Sequence, residues 1–351
     1  MSAAAALRVD YLPLARLAQQ PSPWWRGVLG VVGFESAPPL NGMAAAIPVT
    51  ASGTPLLGSD TPLCEVWQLA DPDLDGCRVD CSGHVRYRHG EPMLFGCASL
   101  DETEARRDGE SPAATLRRVT ELAYRDIFRV MEHSGYPHLI RVWHYLPDIN
   151  AECDGDERYR HFNSARHSAF AQASADGAGV FPAASALGSR QGSAFSIHFL
   201  AARCEPVMIE NPRQISAYHY PRQYGEHCPL FSRACILGTG PGAHLFVSGT
   251  ASIIGHETIH SGDEVAQTRE TLTNIAALLE QANRRAPGGR FDLDALKYKV
   301  YVRHRRDQPA IAAELGRWLQ AQTAVVYLEA DVCREDLLVE IEAIGTAGAS
   351  V

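Results

Sequence analysis

Two stretches of the chain repeat their apolar residues at helical spacing, and each is followed by a segment that reads as a strand. In the first, Leu116, Val119, Leu122, Ala123, Ile127 and Val130 form one stripe. Ser111-Pro112 supplies an N-cap and a first-turn proline, and Gly135 a stop, so a helix is predicted between them. A strand is expected over 138–149, a second helix over 157–170, then a Gly/Ala-rich connection and a strand over 193–202. The polar run 101–111 reads as a loop. The first hundred residues are rich in Pro, Gly and short β-like runs, such as 28–34 and 84–87, and show no clear order.

The second half repeats this order. Residues 244–255 read as strand, tight turn and strand. A long amphipathic helix is expected over 263–283, a strand over 297–307, a second helix over 307–320, and two strand-like runs to the end. RVWHYLPD overlays KVYVRHRR, and SAFSIHFLA overlays LLVEIEAIG. The pattern predicts an α/β (α+β) fold of two tandem helix–strand–helix–strand units forming a pseudo-oligomer. The division expected is 1–205 and 206–351.

The last strand poses the functional question. In LLVEIEAIG, Leu337, Val339, Ile341 and Ala343 alternate with Leu338, Glu340 and Glu342. A half-buried strand with two carboxylates on one face is ordinary, so periodicity alone leaves Glu340 either a solvated side chain or an acid held in a cleft. The overlay places Ser196 of the first unit opposite Glu340, or His198 if the register shifts by two. The other copy therefore lacks the carboxylate.

Composition narrows the class. With 46% hydrophobic and 21% charged residues in 351, a sizeable core is expected. A formal charge of -9 argues against a nucleic-acid binder, while local arginines still permit an anionic small substrate. Nine scattered cysteines without a CxxC pair read as reduced, buried thiols of a cytoplasmic protein. The N-terminus lacks a basic leader region, and no run of about 18 apolar residues suggests a membrane span.

Two resemblances sharpen the reading. FVSGTA (246–251), QTRETLTNIAALLEQA (267–282) and VEIEAIG (339–345) resemble the RidA (YjgF/YER057c) family, whose similar terminal strand aligns its first Glu with Glu340. That family's carboxylate-binding Arg would fall at Val325, which argues against imine deamination. RidA proteins are trimers with clefts between subunits, and a fused chain would mimic such an interface internally. For this chain, monomer and small homo-oligomer both stay open. From about Val66 onward the chain is similar to the chorismatases, through RVWHYLPDIN (141–150), ERYRHFNSARHSAF (157–170), AYHYPRQYGEHCPLFSRA (217–234), LFVSGTASIIGH (245–256) and ADVCREDLLVEIEA (330–343).

The chorismatase resemblance implies chorismate as substrate, with release of pyruvate. It is nearest to the branch making 3-hydroxybenzoate and 4-hydroxybenzoate for aryl-polyene pigment; the alternative is the hydrolytic branch, which gives a dihydroxycyclohexadiene carboxylate. A non-catalytic metabolite binder is the other class of reading. Releasing pyruvate requires a proton on the enolpyruvyl methylene, hence a carboxylic acid protonated near neutral pH. Glu340 fits, between Val339 and Ile341 on a rigid strand, and Glu342 reads as an exposed or salt-bridged neighbour. The resemblance implies Cys333 as a compact residue that keeps water from the ring, not as a nucleophile. Two carboxylates on the substrate call for arginine donors. Arg233 is the first choice, after Tyr218 and Tyr224, with Arg303 and Arg166 as further candidates. Gly249, Thr250 and Ala251 read as a tight turn against the ligand, with glycine permitting positive φ and Ala251 or Ser252 helping to set the product. No cofactor and no metal are expected. His256-Glu257-Thr258-Ile259-His260 matches HExxH but follows a strand and reads as a loop. The glycines of 238–242 lack dinucleotide-binding spacing.

Overall fold

The structure, a computed structural model, describes residues 7–70, 77–173 and 180–349. Part of the Gly/Ala-rich connection, 174–179, lies outside the described residues. The first hundred residues form strands β1 (Leu7–Pro13), β2 (Val28–Gly33), β3 (Val49–Ala51), β4 (Leu56–Leu57), β5 (Leu63–Leu69), β6 (Arg78–Ser82), β7 (Val85–Gly90) and β8 (Met93–Leu100). The first unit continues with α1 (Pro112–Ser134), β9 (His138–Pro147), α2 (Arg158–Ala173), β10 (Ala183–Ser189) and β11 (Phe195–Ala202). The second contains β12 (Val207–Ile209), β13 (Ala234–Leu237), β14 (His244–Thr250), α3 (Glu264–Arg285), β15 (Leu296–Val302), α4 (Gln308–Leu315), β16 (Val325–Glu329) and β17 (Val339–Thr346). Shorter hairpins and turns join them.

The helix signals act as read. Ser111 Oγ accepts from the Ala114 N–H, Pro112 occupies the first turn, and Gly135 closes α1 at φ 72°. Asp263 caps α3 through the Ala266 N–H. Two expected elements are shorter than read. The 297–307 strand stops at Val302, and the 307–320 helix stops at Leu315. One strand was read only as connection: β10, AASALGS, pairs in parallel with β9. Its small residues carry weak strand preference, and it is fixed by tertiary pairing instead.

Duplication is visible in the sheets. One has the order β10-β9-β11-β8-β7-β6; the other reads β16-β15-β17-β14-β13-β12, with β4 added beyond β16. In both, the outermost of these matched pairs is parallel and the next pairing antiparallel. The fold is thus mixed α+β, with one strand order repeated in its two large sheets. Register decides the overlay. His198 faces Trp143 across the ladder and Leu200 faces Arg141; Glu340 faces Tyr301 and Glu342 faces Lys299. With Arg141 matched to Lys299, the counterpart of Glu340 is His198, not Ser196.

Helices α3 and α4 cover one face of the second sheet over Leu272, Ile275, Leu278, Val300, Val339 and Ile341. Helices α1 and α2 cover the first sheet in the same way, through Leu116, Val119, Ile127 and Phe162. Burying each such side chain contributes roughly 1.5–3 kcal/mol. The uncovered faces meet in a central core that includes Trp143, Tyr145, Leu200, Phe246 and Tyr301. A third sheet, β1-β5-β2-β3, closes it with Val9, Leu29 and Trp67. The even residues of β17 therefore point inward between sheets and its odd residues point to the helices.

Candidate active site

A cleft of about 930 Å³ opens between the two units. Its floor is β10 (Ala184, Ser185, Ala186), the end of β14 (Gly249) and Glu340 of β17. One wall is α2 with Tyr159, Phe162, Asn163 and Arg166. The other is Tyr220, Tyr224, Phe231 and Arg233, with Cys333 and Arg334 from the segment before β17.

Glu340 is 4% exposed. Burial pushes its carboxyl up to about 8; the neighbouring negative charge of Glu342 adds to this, while Arg141 and Arg233 oppose it. Glu342 is also buried, not exposed, and is the ion-paired neighbour. Its Oε2 accepts from Arg141 Nη2 at 2.7 Å and Ser185 Oγ at 2.6 Å. Its Oε1 accepts from Trp143 Nε1 and Lys299 Nζ, both at 2.7 Å. Burial would raise it, but Lys299 and Arg141 outweigh burial and hold it below the ordinary glutamate value. A pair that periodicity could not separate thus divides into a protonated acid and a clamped carboxylate.

The structure brings Arg233, Arg166, Tyr224, Gly249, Ala251 and Cys333 to the cleft with Glu340. Arg233 donates from Nη2 to Ile215 O at 2.8 Å and Tyr220 Oη at 2.7 Å, leaving buried Nε without a partner. Arg166 donates from Nε to Tyr124 Oη at 2.5 Å and from Nη1 to Leu230 O at 2.6 Å, and its Nη2 has no partner. Asn163 Nδ2 is likewise buried and unpartnered. Such donors are costly unless a ligand satisfies them. Behind Arg166, Tyr124 Oη lies 2.6 Å from His144 Nε2, and His144 Nδ1 lies 2.8 Å from Ser185 O. The carbonyl requires the proton on Nδ1, so Nε2 accepts from Tyr124. Burial first, then the Arg166 charge, holds His144 far below its usual value and neutral.

Three sequence expectations are corrected. Tyr218 turns away and packs on Phe181, with ring centroids 5.3 Å apart; Tyr220 takes its place. Arg303 does not line the cleft. Its donors fasten the segment before β17, reaching Leu337 O at 2.8 Å, Val332 O at 2.9 Å, Arg334 O at 2.8 Å and Asp331 Oδ1 at 2.7 Å. Thr250 bonds its own strand, through Ser248 O at 2.8 Å, and is outside the cleft lining. The glycine also has a different reason. Gly249 is not at positive φ; it lies in an irregular stretch of the β14–β17 ladder, where a Cβ would collide with Glu340 Oε1.

Cys333 is beside Ala251, Ile253, Val332 and Leu337. Burial, then Glu340, pushes its thiol up to about 12, so it stays a thiol. Of the nine cysteines, Cys64, Cys97 and Cys235 are fully buried, Cys77, Cys153, Cys228 and Cys333 are partly buried, and Cys81 and Cys204 are exposed, against expectation; none is disulfide-bonded. The sequence reading missed Arg334, whose guanidinium stacks 3.9 Å from the Tyr224 ring centroid and donates to His256 O at 2.9 Å. It also missed Asn163, His144, Tyr159 and Ser185, although three of these stand inside the quoted motifs. The HExxH segment is a β-hairpin followed by a turn, so its histidines share no helix face. Val325 packs against the helix-covered core.

Residues 65–201 match the family described as chorismatase FkbO/Hyg5-like, N-terminal. Over 337 residues the chain is 37% identical to a 3-hydroxybenzoate synthase of Streptomyces hygroscopicus, covering 92% of each chain. It is 34% identical to a chorismatase of the same organism over 94% of this chain and 93% of that one. A chorismatase crystal structure superimposes with TM-score 0.82 at 30% identity, covering 97% of this chain and 98% of the other. The protein is a mixed α+β enzyme. It belongs to the chorismatase family. No helix among the described residues is long and apolar enough to cross a membrane.

Proposed function

We propose that the protein converts chorismate to 3-hydroxybenzoate, and with it 4-hydroxybenzoate, plus pyruvate. The observation that carries the reading is Glu340, buried at the floor of a cleft that Arg166, Arg233 and Asn163 also line, with its carboxyl pushed up to about 8. Chorismate has two carboxylates for these donors and one enol ether for the acid. The Glu340 proton bonds to the vinyl methylene, which becomes the pyruvate methyl. The ring C–O bond breaks and its oxygen leaves as the pyruvate carbonyl. The neighbouring ring hydroxyl oxygen bonds to the vacated carbon as an arene oxide, and its proton restores Glu340. Ring opening, with one ring hydrogen lost as a proton and one proton taken up by the oxygen, gives the phenol. No water is consumed.

Cys333 and its apolar neighbours favour that intramolecular route by keeping water from the ring. Arg233 and Arg166 bind carboxylates, Tyr220 and Tyr224 pack the ring, and Gly249 and Ala251 shape the floor. Chain segments 1–205 and 206–351 act as the two units, and the enzyme works in the cytoplasm without a cofactor as a monomer or small homo-oligomer. Incubation with chorismate in H₂¹⁸O, followed by separation of products, tests the reading. Unlabelled hydroxybenzoate and pyruvate in equal amounts are expected. Intact chorismate sinks it, and diol with pyruvate in place of hydroxybenzoate, whichever of the two carries the label, moves the enzyme to the hydrolytic branch.

A further inference from the structure

We propose that Glu342 is a positioning residue for this reaction: clamped by Arg141, Lys299 and Ser185, it holds the proton on Glu340. The inference rests on the functional reading above and assigns a role to a carboxylate that touches no substrate. Four donors converge on Glu342, two on each oxygen, and they come from three different strands. All four go to Glu342, which leaves it ionised, and Glu340 lies two residues before it on the same face. Ser185 Oγ donates to Glu342, accepts from Arg141 Nη2 at 2.6 Å, and accepts from the Gly249 N–H at 3.0 Å. Its capacity is thereby filled, so its orientation is fixed. Gly249 in turn packs directly on Glu340 Oε1. One hydroxyl thus ties the clamped carboxylate to the backbone that seats the acid.

The charges around the pair come from every side. Glu340 is faced by Glu342 on β17, Arg141 on β9, Arg233 before β13, Cys333 before β17 and Tyr159 on α2. Glu342 is faced by Lys299 and Tyr301 on β15, Arg141 and Tyr145 on β9, Glu65 on β5 and Tyr11 on β1. Lys299 is shared, 3.0 Å from Glu65 Oε2. Two carboxylates in one buried site do not both ionise readily; the one with the cations takes the charge and its neighbour takes the proton. The first unit lacks the arrangement, since His198 and Leu200 occupy the matching positions.

The test reads Glu340 in two ways. One is the pH profile of kcat. The other is the pH titration of the protonated-carboxyl infrared band, identified by subtracting Glu340→Gln, which needs no turnover. In Glu342→Gln a negative charge is lost and Arg141 is left without a carboxylate partner, while Lys299 keeps Glu65. Both readouts are expected to move to lower pH by about one unit or more. Arg141→Gln removes positive charge and is expected to move both to higher pH. Ser185→Ala, an uncharged change, is expected to lower kcat about tenfold with KM altered less than about threefold, through one lost charge-assisted hydrogen bond. Unmoved midpoints, or shifts of the same sign in both charge variants, overturn the proposal. Should neither charge variant fold, unchanged kcat in Ser185→Ala overturns it. A shifted band without chorismate turnover refutes the functional reading instead.

Discussion

Glu340 and Glu342 stand two residues apart on one face of β17 and hold opposite protonation states at neutral pH. The first is held by burial in a ligand-sized cleft, the second by Lys299 and Arg141. One strand therefore supplies both an acid and the fixed charge beside it.

This division sets the pH dependence. Only protonated Glu340 can donate, so kcat should fall as pH rises through about 8. The same group shapes stability. Below about 4.5, the ordinary glutamate value, folded and unfolded chains both hold the proton. Between there and about 8 the unfolded chain binds fewer protons, so this group's stabilising contribution falls with rising pH and levels off above 8. Glu340→Gln should therefore melt higher than wild type at pH 8, with the difference vanishing toward pH 4. Melting curves that differ equally at both pH values would speak against the raised acid.

Gly249 gives a steric prediction. Its backbone needs no left-handed conformation, so alanine is tolerated by the strand and not by the acid. Gly249→Ala forces Glu340 aside, at a cost of roughly 1–3 kcal/mol for overpacking. Chorismate turnover should drop at least tenfold in a protein that still folds. Wild-type kcat in this variant would show that Glu340 Oε1 does not occupy the place described.

The Arg166–Tyr124–His144 relay predicts a binding defect. Tyr124→Phe leaves Arg166 Nε and His144 Nε2 buried without partners, which costs about 1–3 kcal/mol of stability. Arg166 also loses its orientation, so KM should rise more than kcat falls. Thermal melting and steady-state kinetics check both effects, and an unchanged KM would separate Arg166 from substrate binding.

Cys333 predicts product choice. Cys333→Ala leaves a small void beside Glu340 and Ala251, and water enters it if polar groups are near. The diol share of the products should rise at the expense of hydroxybenzoate. An unchanged product ratio by chromatography would remove Cys333 from that role.

The helices and the duplication were legible because each left a periodic or capped signal, as with Ser111 and Gly135; the alternation around Ile341 did not tell Glu340 from Glu342, and only the family resemblance singled Glu340 out. The first hundred residues were not, since strands of two to eight residues carry little period. β10 was missed because its small residues are chosen for close approach between units; Ser185 was lost with it. Tyr218 and Tyr220 lie on a connecting segment, where no periodicity says which ring faces the cleft. Arg303 and Arg334 differ only in what surrounds them. One is spent on five backbone and side-chain acceptors, the other stacks on Tyr224, and such partners are a property of the fold.

In the proposed reaction Glu340 delivers the proton that releases pyruvate. Pyruvate release from chorismate by Glu340→Gln, in a protein verified to be folded, is its most direct test. A fall in kcat of about 10²–10⁴-fold, the range for loss of a general acid, is the expected result. Full wild-type turnover in that variant would contradict the account.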